Sequence, residues 1–263
     1  MTTLVLRFAG PLQAWPTHSR GTRRPSHQAP AYSGISGLFR CAQGLPRNDR
    51  SDPLKQTRIA VRIDRPGRRV WDYHTINQLP NPDNRFSVGR ELVPQVLKMD
   101  GKPYAPTVIT NREYISDGAF TCFVSGDRAH LDSLAASLWS PKWATFMGRK
   151  SCAPAPDMCL GIFATELAQA VREVPVVDID AGGSSASEGT AQITTSREIH
   201  WLFEPDSAAE RLEWPDQPDG PVGATYQARP RWVSRVSCPV VGSGSELRHW
   251  VHNNVIVQEG VHQ

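Results

Sequence analysis

Between residues 2 and 165 the hydrophobic period changes from that of a strand to that of a helix and back, twice over, and this order limits the folds open to the chain. "TLVLRFAG" reads as a strand ended by Gly10-Pro11. Ser33 is placed to cap a helix whose Ile35, Leu38, Phe39 and Ala42 recur at i, i+3, i+4 and i+7, with Gly44 to stop it. In "RIAVRID", Ile59, Val61 and Ile63 point one way and Arg58, Arg62 and Asp64 the other, and Pro66-Gly67 closes the strand. A stretch interrupted by prolines at 80, 82, 94, 103 and 106 follows, too long and too broken for a hairpin turn, so an inserted arm or binding loop is expected over about 75–111. "AFTCFVSG" is a third strand. Asp127 caps the next helix, with Leu131, Leu134, Ala135 and Leu138 as its stripe, and "MCLGIFATEL" supplies a fourth strand. The order β-α-β-(arm)-β-α-β is the ferredoxin-like (RRM-like) plan of an α+β fold, with helices on one face of the sheet and the other face left open. RNA-binding sheets often take this form, but the usual aromatic signature of the RNA-recognition motif is absent, so the plan alone fixes no function.

After about residue 170 the pattern breaks into short runs separated by Gly, Ser and Pro, including "DAGGSSASEGT" and "WPDQPDGPVG". The expected organisation is a ferredoxin-like domain over 1–168, a smaller β-rich domain over 169–239 and a weakly defined tail over 240–263. Charge divides the chain in the same sense. Residues 1–75 hold 13 Arg and Lys against 4 Asp, whereas 173–219 hold 11 acids against Arg197 and Arg211. Seven of the early cations, Arg20, Arg23, Arg24, Arg62, Arg65, Arg68 and Arg69, fall close together, and arginine's planar fork suits phosphates and base edges, so a polyanionic partner is favoured for this end. The acidic segment is not expected to lie against phosphates.

Several function classes are disfavoured. No long apolar run marks a membrane span, and the N-terminal strand lacks the layout of a secretion signal, which places the chain in the cytoplasm. Five cysteines, odd in number and without a CxxC pair, argue against a disulfide framework and a zinc site. His249 and His252 can share a helical face but have no evident third ligand, and no cofactor motif is present.

"FMGRKSC", residues 146–152, sets a glycine, two cations, a hydroxyl and a thiol in a row. A phosphate-binding P-loop requires a glycine where Trp143 stands and a lysine directly after the second glycine, where Arg149 intervenes. Arg149 and Lys150 would favour a Cys152 thiolate, yet such a cysteine is more often a small buried hydrophobe. An anion site remains. With Gln13, Trp15 and the Arg20–Arg24 segment, and with Asp72-Tyr73-His74-Thr75, this stretch offers guanidinium forks, an ammonium, hydroxyls and rings, the means of holding single-stranded RNA. Trp15 and Tyr73 fit a core role as well as a stacking one. His74, assisted by Lys150, could be a base for RNA cleavage or a structural histidine.

"LVLRFAGPLQAWP", "SGISGL", "AVRIDRPG", "DYHT", "REYISDGAF" and above all "GRKSC", in order over about residues 2–165, resemble the CasD subunits of type I-E CRISPR Cascade, members of the RAMP superfamily. The resemblance implies a non-catalytic antiviral-defence subunit that caps the 5′ handle of the CRISPR RNA. Its arm, a thumb, folds over the RNA beside the neighbouring CasC subunit. CasA and the other Cascade subunits are further implied partners, and target DNA is reached only through the complex. By the same resemblance Gln13, Trp15, Arg23, Tyr32, Ser33, His74, Arg112, Phe146, Arg149, Lys150 and Ser151 face the RNA. Tyr32 stands where the family often carries a cation, and Phe146 where a tyrosine can occur. The alternative is a metal-independent endoribonuclease acting on CRISPR repeat RNA, as a related subunit does in type I-C systems; in type I-E a separate subunit, CasE, makes that cut.

Overall fold

The structure, a computed structural model, describes residues 2–17, 22–46, 48–49, 51–77, 85–88, 91–94, 107–178, 194–219 and 225–255. Arg20, the tip of the expected arm and the "DAGGSSASEGT" run lie outside the described residues.

In chain order the elements are β1 (Thr2–Ala9), β2 (Leu12–Gln13), β3 (Trp15–Pro16), β4 (Arg23–Arg24), β5 (Ser26–His27), α1 (Tyr32–Gln43), β6 (Arg58–Arg65), β7 (Arg68–Asn77), β8 (Arg85–Val88) and β9 (Glu91–Pro94). There follow β10 (Thr107–Ser116), β11 (Ala119–Gly126), α2 (Arg128–Trp139), β12 (Cys159–Phe163), α3 (Leu167–Glu173), β13 (Val176–Val177), β14 (Thr194–Trp201), β15 (Glu210–Asp219), β16 (Thr225–Val241) and α4 (Gly244–Asn254). No described helix is long and apolar enough to cross a membrane.

The principal sheet runs β12-β1-β11-β6-β14-β16-β13, with β15 paired to β16. The strand–helix succession of the N-terminal half holds. Asp127 caps α2 by accepting the His130 amide at 3.2 Å, and Gly44 ends α1 at φ +68°, a conformation that costs a Cβ-bearing residue strain. Ser33 does not cap α1. The helix starts one residue before it, at Tyr32, and Ala31 occupies the N-cap without a side-chain bond.

The second face of the sheet is covered, contrary to the open face that the ferredoxin-like plan suggests. Leu4, Leu6 and Phe8 of β1 pack with Ile35 and Phe39 of α1 and Leu131 and Leu134 of α2. Val5, between them, turns the other way and joins Ala60, Phe123, Leu167 and Val171, so that α3 closes the opposite side. Residues that look polar-outward in the sequence are therefore inside. Arg62 is fully buried, bonded to Asp64 at 2.6 Å and to the carbonyls of Val171 and Val174 at 2.8 and 2.7 Å, so it neutralises one buried carboxylate and satisfies the carbonyls at the end of α3.

The composition break near residue 168 does not divide the sheet. β14 pairs directly with β6, from Glu198 opposite Ile63 to Trp201 opposite Ala60, and brings β16 and β15 with it. Part of the expected tail is helical: α4 is capped by Ser243, which accepts the Glu246 amide, and its Leu247 is buried.

Candidate nucleic-acid interface

β7 and β10 form one antiparallel ribbon, in register from Arg68 opposite Ser116 to Asn77 opposite Thr107. Gly67, at φ +72°, makes the entry turn, so the ribbon begins earlier than the arm expected from residue 75 and takes in "DYHT" as mid-strand residues. On its other side β10 carries β4, with Arg23 beside Asn111 and Arg24 beside Arg112, and then β2. Alternation along these strands sorts the side chains.

One face of the ribbon holds Arg69, Trp71 and Tyr73, and Arg23 joins them from β4. The Arg23 guanidinium lies 4.9 Å from the centre of the Trp71 ring, and Tyr73 beyond it is 64% exposed. Among the described residues neither Arg23 nor Arg24 has a carboxylate partner. An arginine lying over an indole retains its in-plane N–H donors for a phosphate or base edge, while the exposed rings offer stacking surface. Glu113 is buried and accepts the Ser26 amide and the Arg69 guanidinium, both at 2.9 Å, which ties β5 to the ribbon. The opposite face carries a polar group of four beyond Val70 and Tyr114: His74 lies 3.5 Å from the Asp72 carboxylate, and Arg112 donates to Thr110 at 3.1 Å.

The "GRKSC" turn braces this junction. Its backbone closes on itself through Met147 N–H to the Cys152 carbonyl and Cys152 N–H to the Arg149 carbonyl, both at 2.8 Å, with Gly148 at φ +86°. From it the Arg149 guanidinium reaches the carbonyls of Glu113 and Arg24 at 2.8 and 3.0 Å and lies 4.6 Å from the Tyr114 ring. Arg149 thus holds β4 against β10, and Lys150 and Ser151 stand exposed beside it. Cys152 is buried and burial pushes its thiol upward, so the thiolate reading loses its physical basis.

The remaining residues singled out in the sequence do not all reach this surface. Gln13 and Trp15 are fully buried, and their polar atoms are used internally: the Gln13 amide donates to the carbonyls of Phe8 and Gly118 at 3.0 and 2.8 Å, and the Trp15 indole donates to Gln13 at 3.1 Å. Both side chains lie inside the core, away from the exposed face of the ribbon. Tyr32 donates to Asp52 at 2.7 Å and has the Arg229 guanidinium 3.9 Å from its ring centre, which places it against the C-terminal strands. Ser33 and Phe146 are half-buried. Arg62, counted with the basic stretch, is enclosed by the core. Trp71 is the surface residue that the sequence set omits, and Arg24 and Arg69, read there only as part of the basic stretch, stand beside it; the signal for Trp71 and Arg69 is "RRVWDYHT", a strand with cations and rings but no buried face.

The family model described as "CRISPR-associated protein (Cas_Cas5)" matches residues 3–233. The "CRISPR system Cascade subunit CasD" of Escherichia coli (strain K12) is 29% identical over 172 residues, spanning 60% of this chain and 70% of that protein. Among solved structures, a chain of a "CRISPR RNA-guided surveillance complex" superposes with a TM-score of 0.70 at 28% identity, covering 95% of this chain and 98% of its own. A second, titled "Crystal structure of Cas protein", does so at 0.55 and 28% identity over 90% and 95%. With the match running through both the strand–helix half and the strands that complete its sheet, the chain belongs to the CRISPR-associated Cas5 family.

Proposed function

We propose that this chain is a non-catalytic RNA-binding subunit of a type I-E-like Cascade surveillance complex, capping and holding the 5′ handle of the CRISPR RNA. The four strands β12-β1-β11-β6 with α1 and α2 form its ferredoxin-like half, and the β7–β10 ribbon is the root of a thumb lying over the RNA beside CasC. CasA and the remaining Cascade subunits are its other partners, and target DNA is met through the assembled complex. The observation that carries this reading is the exposed Arg23–Trp71 pair with Tyr73 beside it, a cation and two rings on one rigid face. Membership of the Cas5 family and likeness to a chain of an RNA-guided surveillance complex support it.

The reading is tested by titrating the chain with labelled single-stranded repeat RNA over a range of salt. Trp71→Ala is expected to weaken binding by about 1–3 kcal/mol, the worth of one stacked base. Lys150→Gln is expected to flatten the log–log salt dependence by about 0.7, the contribution of one phosphate contact on a single strand. Parental affinity and slope in both variants would remove this surface from the RNA.

The endoribonuclease reading rests on one observation, the half-exposed His74 imidazole 3.5 Å from the Asp72 carboxylate. Site-specific cleavage of repeat RNA without metal, abolished by His74→Ala, would replace the non-catalytic reading with it.

A further inference from the structure

A second exposed aromatic patch lies away from the ribbon, where α2 ends. Trp139 is 44% exposed at the last turn of the helix and Trp143 is 47% exposed in the loop that follows. A large ring left in water on a floppy loop would mean little, but this loop is anchored. The Lys142 amide donates to the Ala42 carbonyl at 2.8 Å, the Cys41 thiol contacts the carbonyl of Ala144 at 3.3 Å, and the Lys142 side chain lies across Gly44, where any Cβ would collide with it. The last turn of α1 therefore fixes the backbone on which the Trp143 ring stands.

The loop that carries the ring has charge of one sign. Residues 139–152, "WSPKWATFMGRKSC", contain Lys142, Arg149 and Lys150 and no acid. Lys142 and Lys150 are both exposed, and Lys150 lies near enough to Cys41 for its charge to oppose the rise that burial causes in that thiol. At its far end the loop carries Arg149, bonded to the carbonyls of Arg24 and Glu113. One acid-free loop thus joins the two patches. Protein interfaces are depleted in lysine, whereas a ring between ammonium groups is what a single strand uses, base on the ring and phosphates on the cations.

We propose that Trp143, flanked by Lys142 and Lys150, is a second base-stacking platform for single-stranded RNA, presented by the C-terminal end of α1 and continuing the path that begins at Arg23 and Trp71. It rests on the reading of the chain as an RNA-binding subunit. Bases stack there without regard to identity, because the site offers a ring face and point charges with no directed acceptor.

The test is a titration of the full chain with labelled single-stranded RNA of the cognate repeat at several salt concentrations, with thermal melting of every variant. Trp143→Ala is expected to weaken binding about 5- to 100-fold and Trp143→Phe to retain most of the affinity. Lys142→Gln is expected to flatten the salt slope by about 0.7. Since the Trp143 ring is half in water, the melting temperatures should match the parent. If Trp71→Ala weakens binding while Trp143→Ala and Lys142→Gln leave affinity and slope at parental values, the platform is overturned and the RNA-binding reading stands. If the parent chain binds no RNA, both fall together. If Trp143→Ala binds RNA normally but no longer assembles with other subunits, the patch is a protein-docking surface and this proposal is wrong. Should Trp143→Ala fail to fold, Lys142→Gln decides by its slope alone.

Discussion

At the scale of single residues the largest liability is Arg62. Its guanidinium is fully buried against a carboxylate that is itself 6% exposed, so the pair lies where desolvation is expensive and an unpaired survivor more so. Arg62→Ala strands Asp64 in the core and leaves α3 carbonyls without donors; a loss of about 3–5 kcal/mol in denaturant unfolding is expected, with part of it recovered in Arg62→Met/Asp64→Leu. His200 makes a gentler, pH-dependent case. It is buried, with Nε2 2.6 Å from Glu198, Nδ1 3.1 Å from Arg231 and the Trp214 ring edge-on at 5.4 Å. Burial first, and then the Arg231 charge, lower its pKa; Glu198 opposes them but is 39% exposed, and solvent blunts its pull. The folded state keeps His200 neutral while the unfolded chain takes up a proton near pH 6.5, so stability is complete above about 6.5 and falls as pH drops below it. Melts between neutral and mildly acid pH should show a shallower fall for His200→Gln than for the parent; equal slopes would clear His200 of the effect. Little of this was legible in the sequence. Arg62 and Arg23 look alike there, two arginines in one basic stretch, and only the closure of α3 over the sheet separates the buried one from the exposed one. Gln13 and Trp15 mislead in the same way, since a polar atom satisfied inside leaves the same letters as one offered to a ligand.

At the scale of elements the two hydrophobic periods were legible because burial enforces them: Ile35, Leu38, Phe39 and Ala42, and Leu131, Leu134, Ala135 and Leu138, are all inside. The start of the ribbon was not. β7 keeps Arg69, Trp71 and Tyr73 in water and gains its order from pairing with β10, a partner too distant in sequence to leave a local pattern. β10 joins two environments, since Tyr114 and Ile115 are buried in the core whereas Ile109 is 39% exposed. Removing the outer arm should therefore be tolerated and removing its root should not. Replacing residues 78–106 with a short Gly/Ser turn is expected to leave the melting transition within a few degrees of the parent while weakening assembly with the CasC neighbour proposed above, measured by co-purification. Loss of the cooperative transition would place the arm in the core.

At the scale of the whole molecule the acidic C-terminal third completes the sheet that the basic N-terminal part begins. Trp214, from β15, stacks on His27 with ring centres 4.4 Å apart, and Arg231 donates to the Pro30 carbonyl at 3.1 Å, so the C-terminal strands grip the segment that leads from β5 into α1. Composition suggests a boundary near 168 because short strands with Gly- and Pro-rich links resemble a separate unit; strand pairing, which composition does not encode, runs across it. A chain ending at residue 168 is expected to lack a cooperative melt and to expose apolar surface to a hydrophobic dye, because β6 loses β14 and Arg62 loses its α3 acceptors; a sharp transition near that of the full chain would establish the boundary. The β6–β14 ladder also sets a clock. About 130 residues of chain separate the end of β6 from the start of β14, and at ribosomal rates of about 5–20 residues per second the outer rim of β6 stays unpaired for roughly 6–26 s on every nascent copy. Throughout that interval the growing polypeptide offers a raw strand edge to its neighbours on the polysome. A chain that stops between Arg65 and Thr194 carries that edge bare, and a synonymous change that slows the ribosome through this stretch lengthens the exposure without altering a single amino acid.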